Sequence, residues 1–329
     1  MPEGPAAVAE SEFEPELLEL HRRELTGYCY RMLGSLFEAE DAVQETMIRA
    51  WRKHDGFEGR SSVRTWLHRV ATNVCLDMLR GRKRRALPMG LVPCSTADVT
   101  DIGPVLAEGT WVLPVPDERV LAEHADPAQV TAERESIRLA FVAALQHLPA
   151  RQRAVLLLRE VLGWSAAEVA DLLGATAASV NSALQRARAT LATHDLGASP
   201  RPDDAGERKL LAEFVDAFER YDIERLTTLL HDDAVQSMPP YALWIQGAGE
   251  IGRWMLGPGA ECRGSRMLPV AANGTGAFGQ YRSNGRGGYT PFAIQILTVE
   301  GDRIGQIHTY LQPELFPVFG LPPSPAGDR

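Results

Sequence analysis

The chain has 329 residues, enough for two or three domains, and 45% of them are hydrophobic, which supplies ordinary cores. Against 43 Asp and Glu it carries 34 Lys and Arg, a formal charge of −9 that argues against tight autonomous binding to DNA, so any contact with nucleic acid must be local or assisted. Cys29, Cys75, Cys94 and Cys262 stand far apart without a CxxC pair, and the acidic N-terminus and absence of any run of ~18 apolar residues argue against secretion and membrane spanning; a reducing cytosol, no metal and no cofactor are expected.

In chain order, Leu17, Leu18, Leu25, Tyr28, Cys29 and Met32 mark the buried stripe of a first helix that Gly34 breaks. In the next, FEAEDAVQETMIRAW, burial is expected at Ala39, Val43, Met47 and Ala50 or Trp51. Asp41, Gln44, Glu45 and Ile48 then share the exposed face, which by itself is most simply a solvated one. A small polar loop with Gly59, Arg60, Ser61 and Ser62 leads to a third helix, buried through Val63, Trp66 or Leu67, Val70, Val74 and Met78. Asn73, Asp77 and Arg80 line another side of it, and the helix runs out into Arg80, Arg82, Lys83, Arg84 and Arg85. Such density of positive charge marks a polyanion surface more often than a dipole complement.

From Ala86 to Val130 the chain is rich in Pro and Gly and acidic, and reads as a linker; within it Trp111, Pro114 and Pro116 suggest a peptide held against another surface. Ile137, Phe141, Ala144 and Leu148 then return to helical spacing. The stretch from Gly163 to Leu191 has the clearest signature. Ser165 and Glu168 form a capping box, Gly174 stops the helix, and Thr176 caps a second one whose Val180, Leu184, Ala187 and Leu191 are the buried stripe. Ser179, Asn181, Ser182, Gln185, Arg186 and Arg188 are left for other faces. Amides and hydroxyls suit base edges and guanidinium groups suit phosphates, so this is a candidate helix-turn-helix, with a solvated helical hairpin as the plain alternative.

Taken together, AEDAVQETMIRAW, FEGRSSVRTWLHRVATNVCLDMLR and HLPARQRAVLLLREVLGWSAAEVADLLGATAASVNSALQRARATL resemble, in order, regions 2.2, 2.3 to 2.4, and 4 of extracytoplasmic-function (ECF) sigma factors of RNA polymerase. The resemblance implies that Asp41, Gln44, Glu45 and Ile48 bind core polymerase at the β′ clamp, with the β flap as a second partner. It implies that Arg60, Ser61, Ser62, Asn73, Asp77, Arg80, Arg82, Lys83, Arg84 and Arg85 serve the −10 element, where unstacked bases must be captured. By the same similarity the helix after Thr176, with Ser179, Asn181, Ser182, Gln185, Arg186 and Arg188, reads the −35 element, assisted by Arg151 and Arg153. Core polymerase would hold both domains in place, which reconciles the negative total charge with promoter DNA as a partner.

After the short linker SPRPDDAG, Leu210, Leu211, Phe214, Val215 and Phe218 make an amphipathic helix, and Ile223 to Leu230 is expected to continue helical to HDDAV. Strands follow, with a hairpin turn at Gly301 and Asp302. Helices followed by an antiparallel sheet resemble the SnoaL-like branch of the NTF2 fold, a cone with an internal pocket. The expected architecture is therefore multidomain: two all-α sigma domains (a region 2 helical bundle and a region 4 helix-turn-helix) plus a C-terminal α+β SnoaL/NTF2-like cone. Its divisions are region 2 at 11–85, the acidic linker at 86–130, region 4 at 131–196, a linker at 197–206, the SnoaL-like domain at 207–318 and a tail at 319–329. His231, Asp232, Asp233 and His308 could act as acid or base, with Tyr241, Trp244 and Tyr281 as pocket walls, but no spacing among them demands catalysis, and an enzyme is not expected. The resemblance instead assigns the extra domain to modulation in cis. The apolar residues of the linker and tail suggest that this domain packs on region 2 and the linker through Trp111, Pro114, Phe316 and Phe319, with a small pocket ligand as a further possible partner and the cytoplasm as the location. Two other readings are a free-standing helix-turn-helix regulator with a ligand-sensing domain and a SnoaL-like cyclase or isomerase fused to a DNA-binding module.

Overall fold

A computed structural model describes residues 18–53, 62–99, 102–121, 127–194 and 204–325. Contacts divide it into two units: Met1–Arg84 with Asp117–Leu196, and Arg85–Pro116 with Gly197–Arg329. The expected linker is thus not a free connector. Its first thirty or so residues belong to the C-terminal unit.

In the first unit, helix α1 (Arg22–Leu33) buries Leu25, Tyr28, Cys29 and Met32, and Gly34 closes it at φ 72°, a conformation that glycine adopts without a Cβ clash. Ser35 caps α2 (Leu36–Arg52), which buries Leu36, Ala39, Ala42, Val43, Thr46 and Ala50; of the two alternatives at the end of the stripe, Ala50 is inside and Trp51 outside. Ser62 caps α3 (Val63–Met78). Its stripe is Leu67, His68, Ala71, Thr72, Val74 and Cys75, rotated from the expected one because His68 and Thr72 find partners inside: the His68 ring packs edge-on against Tyr28, and Thr72 meets the Tyr28 hydroxyl at 2.8 Å. The short α4 (Asp117–Val120) lies against α1, where a Cβ on Gly27 would stand 2.6 Å from the Val120 carbonyl oxygen.

Helices α5 (Pro127–Ser136), α6 (Leu139–Leu145) and α7 (Ala150–Leu156), the last running on through a π turn, lead to α8 (Ala166–Leu173) and α9 (Ala177–Leu191). The capping box of Ser165 and Glu168, the left-handed Gly174 and the Thr176 cap all form as the residue types require. The second half of this unit docks on the first through buried guanidinium groups. Arg31 donates to the Ser136 hydroxyl at 2.7 and 3.0 Å, and Arg153 donates to the Met32, Gln146 and Leu148 carbonyls.

The second unit holds α10 (Asp204–Arg220), α11 (Ile223–Thr228), α12 (Ala248–Leu256) and six strands: β1 (Leu230–Ser237), β2 (Trp244–Gln246), β3 (Arg266–Ala272), β4 (Thr275–Ser283), β5 (Tyr289–Glu300) and β6 (Arg303–Tyr310). Their order in the sheet is β2-β1-β6-β5-β4-β3, with β1 and β6 parallel and the other pairs antiparallel. Helix α11 ends at Thr228, two residues before the expected end at Leu230, and HDDAV lies within β1. Asn273 and Gly274 turn the β3–β4 hairpin at φ 50° and 66°, and Gly301 turns β5 into β6 at φ 61°.

The two faces of the sheet bury different things. On one, Phe278, Leu297 and Ile307 join Phe214, Phe218, Leu226 and Trp254 of the helices in a single core. Alternate residues point to the other face. There the Tyr310 hydroxyl donates to the Val112 carbonyl at 2.8 Å, Tyr281 packs edge-on against Phe316, and a Cβ on Gly279 would meet Leu321 at 2.3 Å. The tail therefore folds back onto the sheet, and residues 85–116 are bonded into the same unit. Buried extended backbone must place its polar groups somewhere. Ser95 N–H donates to the Trp244 carbonyl, Leu106 N–H to that of Pro240, and Val115 N–H to the Asn273 side chain, at 2.9 to 3.0 Å.

Candidate nucleic-acid interface

The site on α9 follows from its stripe. With Val180, Leu184, Ala187 and Leu191 buried, Ser179, Asn181, Ser182, Gln185 and Arg186 all stand exposed. Thr176 and Ser179 cap the helix reciprocally, Ser179 N–H donating to the Thr176 hydroxyl at 3.1 Å, so these two side chains are spent on the helix start. Arg188 is held by Glu160 in an exposed ion pair, and exposed Arg151 donates to the Leu173 carbonyl at 3.3 Å. Arg153 departs from expectation. It is 4% exposed, its two Nη groups donate to protein oxygens, and burial pushes its guanidinium down to about 10. It cannot reach a phosphate in this arrangement.

On α3, Asn73, Asp77 and Arg80 are exposed on one side as the spacing predicts. Asp77 pairs with Arg80 at 3.1 Å and with Arg49 of α2 at 3.5 Å, which ties this side of α3 to the neighbouring helix. Arg82, Lys83 and Arg84 are exposed; Arg82 pairs with Glu38, and Arg84 meets the His147 ring at 2.8 Å. Arg85 is buried and donates to the Trp111 carbonyl at 2.7 Å and the Glu108 carbonyl at 2.9 Å, which removes it from the phosphate-tracking set. Ser62 is the cap of α3, accepting from Thr65 N–H at 3.1 Å, while Arg60 and Ser61 lie outside the described residues.

The remaining face of α2 presents Asp41 and Gln44 in the open, Glu45 paired with Arg49 at 2.6 Å, and Ile48 37% exposed. Phe37 at 38% and Trp51 at 50% fall on the same stripe, at i−4 from Asp41 and i+3 from Ile48, and sequence reasoning missed both as surface residues. Their signal was present: steps of three and four from Ile48 reach Phe37 backward through Gln44 and Asp41, and Trp51 forward.

In the C-terminal unit, Trp111, Pro114, Phe316 and Phe319 are all buried. The acid and base candidates are not gathered. His231, Asp232 and Asp233 are exposed, Asp232 pairing with Arg303 at 3.5 Å, whereas His308 is fully buried between the Ser237 hydroxyl at 2.8 Å and Gln306 at 3.1 Å. Burial pushes its imidazole down to about 4. None of the four lines the cavity of about 350 Å³ between helices and sheet. Of the expected walls, Tyr241 lines it, Trp244 donates to the Val92 carbonyl, and Tyr281 points to the opposite face. Ile102 brings the 85–116 segment into the cavity wall. Among the described residues no cluster of three His, Cys, Asp or Glu could hold a metal, and no helix is long and apolar enough to cross a membrane.

Comparison with known proteins matches Sigma-70 region 2 over residues 17–85, Sigma-70 region 4 over 138–191 and a SnoaL-like domain over 211–307. ECF RNA polymerase sigma factor SigG of Mycobacterium tuberculosis (strain ATCC 25618 / H37Rv) is 48% identical over 311 residues, covering 93% of this chain and 83% of the relative. SigJ of the same organism is 26% identical over 312 residues, 91% of each chain. The crystal structure of Mycobacterium tuberculosis SigJ shares the fold at a TM-score of 0.61 and 22% identity, covering 94% of this chain and 100% of that one. With two promoter-type helical domains in family order, a SnoaL-like domain behind them and a relative of that identity along nearly the whole length, the chain belongs to the ECF RNA polymerase sigma factors, transcription initiation factors that act with core polymerase on promoter DNA.

Proposed function

We propose that the C-terminal unit restrains this sigma factor in cis by holding residues 85–116, the segment that joins its two promoter-binding domains in sequence. The observation that carries the reading is the bonding of that segment into the C-terminal sheet, through Val115 to Asn273, Ser95 to Trp244, Leu106 to Pro240, and Val112 to Tyr310. For the segment to lie along polymerase, those bonds must break. Docking of region 4 on region 2 through Arg31 and Arg153 adds a second closed contact that has to open before −10 and −35 elements are read together.

In the open form the exposed stripe of α2, with Phe37, Asp41, Gln44, Glu45, Ile48 and Trp51, meets the β′ clamp, and region 4 meets the β flap. Asn73, Asp77, Arg80, Arg82, Lys83 and Arg84 serve the −10 element, together with Arg60, Ser61 and Ser62. Asn181, Ser182, Gln185 and Arg186 read the −35 element, with Ser179, Arg188 and Arg151 beside the phosphates. Work of this kind belongs in the cytoplasm, where core polymerase is found.

The test is in vitro transcription with purified core polymerase on a promoter library, comparing the full chain with one ending at Ala198. Both forms are expected to initiate at one shared motif, the shorter giving more transcript at equal concentration. Equal output from the two removes the restraint. Full activity of an Ile48→Glu variant removes the α2 face.

A further inference from the structure

We infer that the cavity of the C-terminal unit is a binding site for a neutral, largely apolar ring compound that carries hydroxyl or N–H donors. The walls and the unmet polar atoms point to the same chemistry.

Four neighbouring strands each bring one uncharged polar side chain to the cavity: Gln236 on β1, Thr309 on β6, Gln295 on β5 and Gln280 on β4. All four line the cavity. Ser265 Oγ accepts from Gln280 Nε2 at 3.1 Å, and Gln280 Oε1 accepts from Gln295 Nε2 at 2.8 Å, a relay that leaves Gln295 Oε1 as its unpaired end. Gln295 is 3% exposed, Thr309 5% and Gln236 8%, yet Gln295 Oε1, Gln236 Oε1 and Thr309 Oγ have no protein partner. Buried polar groups in folded proteins nearly always have partners, so three such atoms on one cavity call for an occupant that donates hydrogen bonds.

Charge and shape narrow the class. The two charged residues of the lining, Glu261 and Arg282, pair with each other at 2.5 Å, and the Arg282 guanidinium also lies over the Phe292 ring at 4.5 Å from its centre. No free charge is left to hold an ion, so the occupant is neutral. Phe218, Trp254, Phe292 and Met255 supply flat and adaptable apolar walls, and 350 Å³ falls within the range of small-molecule sites. The acid and base candidates of the sequence, His231, Asp232, Asp233 and His308, stand outside this lining.

The experiment uses the full chain and three probes: 2,7-dihydroxynaphthalene, with two donors; 2,7-dimethoxynaphthalene, with the same rings and none; and 2-naphthoate, an anion. Calorimetry and saturation-transfer NMR read equilibrium binding, so the result is independent of transcription. The dihydroxy compound is expected to bind saturably at one site, at least tenfold tighter than either of the others. Gln295→Leu and Gln236→Leu should each weaken it at least tenfold while leaving the dimethoxy compound unchanged; Thr309→Val, nearly isosteric, does the same if either Leu variant fails to fold. Absence of saturable binding by all three probes means a hydrated cavity only and overturns the inference, as does equal affinity for the probes with and without donors.

Discussion

Arg153 shows how a residue of the right type in the right motif can be taken for another task. Its guanidinium donates to the carbonyls of Met32, Gln146 and Leu148 and lies at the docking of the two helical domains. Arg153→Met should leave those buried oxygens without a donor and cost about 2–4 kcal/mol in denaturant unfolding. It should leave the salt dependence of promoter binding by holoenzyme unchanged, whereas Arg151→Ala should lower that slope by about one counterion. His308 sets a second expectation at this scale. Neutral inside, with an ordinary value of 6.5 and a buried one of about 4, it takes up a proton in the unfolded chain before it does so in the folded one. Above pH 6.5 it has no effect; as pH falls from 6.5 toward 4 the unfolded state gains protons and stability drops, by about 3 kcal/mol at most. Urea melts of His308→Gln should show a shallower loss over that window than the parent. His21, His68 and His147, pushed the same way by burial, contribute to the slope that remains.

Among elements, α8 and α9 were legible almost residue by residue, because both ends are written in local chemistry: a capping box, a left-handed glycine, a second cap and a stripe with no polar competitor. Helix α3 was less so. Apolar periodicity alone would put Val70 and Met78 in the stripe, and only the tertiary partner Tyr28, which meets both His68 and Thr72, turns the helix toward them. The β3–β4 hairpin carries a double duty. Asn273 takes the positive φ of the turn, and its side chain also accepts from Val115 N–H at 2.9 Å. Asn273→Gly separates the two, since glycine keeps the turn and loses the acceptor. It should cost about 1–2 kcal/mol and speed protease cleavage within residues 85–116, without shifting strand content in circular dichroism. Unchanged cleavage would mean that the remaining bonds, from Asn273 N–H to the Val115 carbonyl and at Ser95, Leu106 and Val112, hold the segment without that acceptor.

At the scale of the whole molecule, the segment 85–116 decides how the parts are connected. A chain ending at Ala198 lacks Asn273, Trp244, Pro240 and Tyr310, so its 85–116 backbone loses its partners and should be cut by trypsin or chymotrypsin many times faster than in the full chain. Equal protection in both forms, followed by mass spectrometry, would place the hold elsewhere. The formal charge of −9 is consistent with a factor that reaches promoters as part of a larger assembly, since the exposed cations of α3 and α9 are few and several are paired. The sequence by itself determined the family, the order of domains, the recognition helix and its exposed face, because capping, periodicity and motif order are short-range properties. Only the tertiary structure decided that Arg85 and Arg153 are inside, that Trp51 is outside, that Trp111 and its flanks are part of the C-terminal unit, and that four polar residues from separate strands line one cavity. Composition made 86–130 look like a linker because Pro, Gly and Asp are poor at forming helices and sheets. Whether such backbone is free depends on acceptors and donors more than a hundred residues away, and no local pattern records those.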